Sequence, residues 1–72
     1  MKYDWLVLIT LKSGKQIEVI YEGTEINSGD VANKVVAGGS MSMNSFFDKT
    51  KTHNILVLVG EIAALDISQW RG

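Results

Sequence analysis

Two alternating runs separated by Lys12-Ser13-Gly14 constrain this chain more than any other feature, because together they admit one hairpin register. Between Tyr3 and Leu11, the residues Trp5, Val7, Ile9 and Leu11 form one face. Leu6 and Leu8 make part of the other face apolar too, the pattern of a central strand covered on both sides. From Lys15 to Glu22, Ile17, Val19 and Tyr21 point one way and Gln16, Glu18 and Glu22 the other, with Ile20 the exception. A two-residue Ser13-Gly14 loop would set Ile9 against Glu18. A three-residue loop of Lys12, Ser13 and Gly14 pairs Ile9 with Ile17, Val7 with Val19 and Trp5 with Tyr21. It also puts glycine third, where this loop class needs the left-handed conformation and a bulge. A one-residue slip reverses every face, so the three-residue loop is predicted.

The far end suggests a second hairpin. Ile55 to Val59 is β-branched and leucine-rich, and Ile62 to Ser68 follows Gly60 and Glu61. Glycine first in a two-residue loop is the type II′ signature, which would pair Leu58 with Ala63 and Leu56 with Leu65. The competing expectation is a short helical turn over Glu61 to Leu65, since alanines favour helix. In the middle, Asn27 or Ser28 caps a predicted short helix in which Val31, Ala32, Val35 and Val36 form an apolar stripe. Gly38 and Gly39 end it. Phe46 and Phe47 suggest a brief strand turning through Asp48 to Lys51, with a second helix over Asn44 to Lys51 as the alternative.

The predicted fold class is therefore α+β: a curved antiparallel sheet, or small partly open barrel, of four to five strands in two hairpins with one short helix between them. Residues 1–72 read as a single domain. A chain this short buries only about 60% of the surface its unfolded form exposes, so small domains lean on disulfides, a structural metal or association with another copy. There is no cysteine and a single histidine, His53, which excludes disulfides, thiolate zinc sites and histidine-rich metal sites. Association is what remains, so a homo-oligomer is expected.

The net charge is −1 and the pI about 5.6, with Arg71 the only arginine. That disfavours nucleic acid as a partner, because a broad electrostatic grip on phosphates shows as a basic stripe and a pI above about 9. Lys49 and Lys51, and Lys12 and Lys15, read as turn lysines kept in water. The apolar runs Trp5 to Ile9 and Ile55 to Val59 fall far short of the roughly 20 residues that cross a bilayer. Residues 1–20 lack the pattern of a signal peptide, since Asp4 interrupts the start. A cytoplasmic protein is expected.

No catalytic set stands out, and neither a cofactor nor a metal is implied. The carboxylates are Asp4, Glu18, Glu22, Glu25, Asp30, Asp48, Glu61 and Asp66. Glu18 and Glu22 flank Ile20 on one strand face and suit a solvated edge better than an acid–base pair. Asp66, on the second hairpin's mixed face, is the acid of most interest, set either among apolar neighbours or at a rim in water. His53 lies beside a turn with no nucleophile-elbow pattern nearby and reads as exposed. Gly38 to Ser45 has no P-loop lysine and reads as a hinge or mobile loop.

The candidate binding features are apolar. Phe46 and Phe47 are adjacent, so in a strand one of them must face away from the core. Met41 and Met43 are adaptable apolar side chains just before them. Trp70 lies two residues from the C-terminus, where tails normally fray, so it must pack back on the domain or against another chain. Met41, Met43, Phe46, Phe47 and Trp70 are therefore the candidate partner-binding residues.

Leu11-Lys12-Ser13-Gly14-Lys15-Gln16-Ile17-Glu18-Val19, the step Met43-Asn44, and Val57-Leu58-Val59-Gly60-Glu61-Ile62-Ala63-Ala64-Leu65 together cover about half the chain. This combination resembles the Sm-like small β-barrel proteins. The resemblance implies a curved antiparallel sheet and ring-like assembly. The family's nucleotide-contacting arginine before the turn glycine is replaced here by Val59, which weighs against RNA binding. In size and style the chain is also similar to phage-encoded factors that bind and inhibit a host enzyme. The preferred expectation is a nonenzymatic, self-associating protein that binds a protein partner through its apolar spot. An Sm-like RNA-binding ring is the alternative.

Overall fold

The computed structural model describes residues 1–71. The elements are β1 (Tyr3–Leu11), β2 (Gln16–Gly23), α1 (Ser28–Val35), β3 (Met43–Phe47), β4 (Asn54–Leu58), a single 3-10 turn (Val59–Glu61) and β5 (Ile62–Gln69). The strands form one unclosed antiparallel sheet in the order β4-β3-β2-β1-β5. With one short helix between its two hairpins, the protein is α+β as its sequence patterns imply.

The first hairpin has the predicted register: Ile9 opposes Ile17, Val7 opposes Val19 and Trp5 opposes Tyr21. Gly14 sits at φ 92°, and the loop closes through Leu11 N–H to the Lys15 carbonyl (2.8 Å) and Gly14 N–H to the Leu11 carbonyl (2.9 Å). β1 is central, paired with β2 on one side and with β5 on the other.

The second hairpin differs from the expectation. Its strands are β3 and β4, joined through Asp48 to His53, with Met43 opposite Leu58 and Phe46 opposite Ile55. β4 and β5 lie at opposite edges of the sheet. The Leu58–Ala63 and Leu56–Leu65 pairs do not form, because β5 pairs with β1, placing Leu65 against Ile9. Gly60 is not among the positive-φ glycines, so it makes no type II′ turn. Its lack of a side chain serves close approach: a Cβ there would lie 2.6 Å from the Ser40 carbonyl oxygen. The helical turn lies at Val59–Glu61 rather than at 61–65.

This connection dictates curvature. In a flat sheet the two edges of five strands would be roughly 19 Å apart. The path from Leu58 to Ile62 spans at most about 14 Å when fully extended, and a 3-10 turn is shorter still. The sheet must curl until its edges approach. It buries its inner face under α1. Asn27 caps that helix, its Oδ1 accepting from the Asp30 N–H (2.9 Å). Val31 and Val35 are buried, whereas Val36, at the C-cap, lies exposed. Gly38 and Gly39 follow at φ 95° and 84° and turn the chain away.

The core is Trp5, Val7, Ile9, Val19, Val31, Val35, Phe46 and Val57. Burying each such side chain stabilises the fold by about 1.5–3 kcal/mol before chain entropy is counted. Among the described residues no helix is long and apolar enough to cross a membrane.

Candidate functional site: the outer face of the sheet

Register places the remaining side chains on the outer face. Leu6 opposes Ile20, and Ile20 opposes Phe47. Alternation along β3 and β4 then puts Met43 and Ser45 on this face, opposite Leu58 and Leu56. At the β4 edge three large apolar side chains stand in water: Met43 is 59% exposed, Leu56 64% and Leu58 38%. Met41, just before β3, is almost fully exposed. The strand Asn54-Ile55-Leu56-Val57-Leu58 carries no charge and no proline, the devices by which edge strands usually resist pairing.

The five sequence-predicted binding residues are thus divided. Met41 and Met43 belong to this edge, and Phe47 lies half-buried further along the same face. Phe46 is the inward member of the adjacent pair: it is buried in the core and presents nothing to a partner. Trp70 packs back on its own domain. Its backbone N–H donates to the Asp4 carbonyl (3.0 Å), its ring is half-buried, and Lys49 Nζ lies 5.9 Å from the ring centroid. Leu56 and Leu58, absent from the sequence-based set, complete the exposed edge. Placing β4 at an edge would have found them.

Toward the centre, the outer face is ionic. Lys51 Nζ bridges Asp4 (2.7 Å) and Glu22 (3.2 Å), and Lys49 Nζ pairs with Glu18 (2.8 Å). These two lysines are therefore engaged with the sheet and not simply solvated, and β2 is an interior strand rather than an edge. The hydrogen bond to Asp4, set against partial desolvation and aided by Glu22, raises the Lys51 ammonium above the ordinary lysine range.

Both lysines come from the β3–β4 turn, which Asp48 organises. Asp48 Oδ1 accepts from the N–H groups of Thr52 (2.9 Å) and His53 (3.1 Å), and Oδ2 from the Thr50 hydroxyl (2.8 Å). Desolvation alone would push the Asp48 carboxyl up. The His53 N–H, the Thr50 hydroxyl, the Thr52 N–H and the His53 ring outweigh it and hold the group at about 2. His53 is exposed, its Nδ1 3.4 Å from Asp48 Oδ2. Asp66 lies exposed on β5, opposite Leu8, away from this turn's hydrogen bonds.

Gly38 to Ser45 is tied down at several points. The Ser42 hydroxyl donates to the Gly38 carbonyl (2.6 Å), and the Asn44 amide donates to the carbonyls of Val35 (2.8 Å) and Ala37 (3.1 Å). On the inner side, the Tyr21 hydroxyl donates to the Glu25 carboxylate (2.8 Å) and the Trp5 indole N–H to the Glu25 carbonyl (3.2 Å). Burial first, and then the Glu25 hydrogen bond and charge, push Tyr21 up to about 12. The same hydrogen bond is the main cause holding Glu25 below the usual carboxylate range. Among the described residues, no group of three histidine, aspartate or glutamate side chains is placed to hold a metal ion. Compared with protein-family models, with curated proteins and with solved structures, the chain finds no match.

Proposed function

We propose that this chain is a nonenzymatic cytoplasmic interaction protein that self-associates and binds a protein partner through the Met43–Leu56–Leu58 edge. The observation that carries this reading is an uncharged edge strand with two exposed leucines beside an exposed methionine. An apolar edge of this kind combines unpaired backbone groups with an apolar patch, and water is a poor partner for the latter. The small size of the chain adds to the case, since covering this face supplies burial that the single core lacks.

Sedimentation velocity over a concentration series tests it. The unaltered chain should show a rising average mass, and Leu56→Glu or Leu58→Glu should hold it at one protomer. Phe46→Ala is not informative, because it opens a cavity in the core. A chain that stays monomeric at every concentration, or that associates equally well with either glutamate in place, overturns the reading.

A further inference from the structure

Ile20 is wholly inaccessible to water, yet it lies on the outer face and is not part of the core beneath α1. Its surroundings account for this. On β2 it stands between Glu18 and Glu22, the two carboxylates that Lys49 and Lys51 reach from the β3–β4 turn. The two ion pairs therefore straddle it. The backbone contributes little to this closure, because β2 and β3 share a single register pair, Ile20 with Phe47. Lys51 holds φ 59°, the only left-handed non-glycine among the described residues. Such a conformation persists only where its surroundings enforce it. Here the Asp48-centred turn enforces it on one side and the Asp4–Glu22 pair on the other.

The geometry points to a latch: Lys49 and Lys51 strap the tip of the β3–β4 turn over the outer face, and its release uncovers Ile20 and Phe47. The uncovered residues continue the apolar strip that begins at Leu56 and Leu58, so the latch sets how much of that strip a partner meets. In that consequence it rests on the interaction proposed above; the latch itself does not. Asp4 directly opposes Glu22 across β1 and β2, and like charges so placed repel. Lys51 Nζ bridges the two and relieves that repulsion, with Lys2 Nζ a further 3.9 Å contact on Glu22. Half-exposed ion pairs of this kind are weak and screened by salt, which suits a closure meant to open.

The chain has no cysteine, so a single introduced thiol reports one position. The rate at which a soluble disulfide reagent labels Ile20→Cys is measured at dilutions where the chain is one protomer. Labelling should be slow at about 0.01 M salt and faster at about 1 M, where the Debye length falls from about 30 Å to about 3 Å. Adding Lys49→Gln and Lys51→Gln should raise the low-salt rate roughly three- to tenfold, as losing the three half-exposed ion pairs these lysines make implies. If Ile20→Cys does not fold, the change of the Phe47→Cys rate with salt and with the glutamines, rather than its absolute value, serves instead, and Val7→Cys in the core reports global opening. Rapid labelling in the unaltered background overturns the latch. So does a rate that neither salt nor the glutamines change, or one that rises in step with Val7→Cys. No partner is present, so these outcomes are independent of the sedimentation result.

Discussion

Gly60 and Asp48 each do one local job that can be checked alone. At Gly60 a methyl group would meet the Ser40 carbonyl oxygen, a backbone atom rather than the far end of a flexible side chain. Gly60→Ala should therefore cost about 1–3 kcal/mol, the usual range for overpacking, read as a lower urea midpoint at unchanged slope. Asp48 is tested by acid. Its carboxyl is held at about 2 against an ordinary 3.8. A depressed carboxylate contributes stability that is present above the unfolded value and lost as pH falls through the folded one. The turn's contribution should therefore persist above pH 4 and fade toward pH 2, with the Asp48 carboxyl carbon titrating near 2 by NMR. A midpoint at the ordinary value would show that the turn does not hold the carboxylate. The sequence places Asp48 at a turn but cannot announce its role, which depends on backbone N–H groups four and five residues ahead.

At the scale of elements, the first hairpin and the helix were legible for definite reasons. Period-two alternation on both sides of Gly14 leaves one register in which Trp5, Val7 and Ile9 face Tyr21, Val19 and Ile17 rather than charges. Asn27 before Val31 and Val35 supplies cap and stripe together. Asn27→Ala should cost about 1 kcal/mol, seen in the same urea titration, because the Asp30 N–H loses its acceptor. The Tyr21–Glu25 bond, by contrast, joins a strand to a loop and leaves no periodic trace. Its phenol is raised from 10.0 to about 12, so the stability it contributes is complete below pH 10 and is lost as pH rises toward 12. Tyr21→Phe should remove that alkaline loss and cost about 0.5–1.5 kcal/mol near neutrality. One hidden contact could have been deduced. The predicted register already sets Asp4 against Glu22, and such a pair demands a cation from elsewhere. Lys51 is that cation.

For the whole molecule, alternation tells which face a strand buries but not which strand lies beside it. Ile55 to Val59 and Ile62 to Ser68 would satisfy their apolar faces as a hairpin or as opposite edges. The choice is made by β1, which has an open side that only β5 covers. The same ambiguity hid the exposed edge, so Leu56 and Leu58 emerged only once β4 was placed. If that edge associates, ligation of one protomer by another stabilises the folded form by mass action. The thermal midpoint should then climb with protein concentration, and Leu56→Glu should flatten that dependence. A midpoint independent of concentration in both chains would count against association.

The place of β5 has a consequence for synthesis. β1 and β2 can zip together within microseconds of leaving the ribosome, since only three residues separate their innermost pairs. The other side of β1 must wait for residues 62–69, the farthest strand along the chain. During translation the central strand therefore spends several seconds with one flank bare. Its guardian in that interval has to be something other than its own fold.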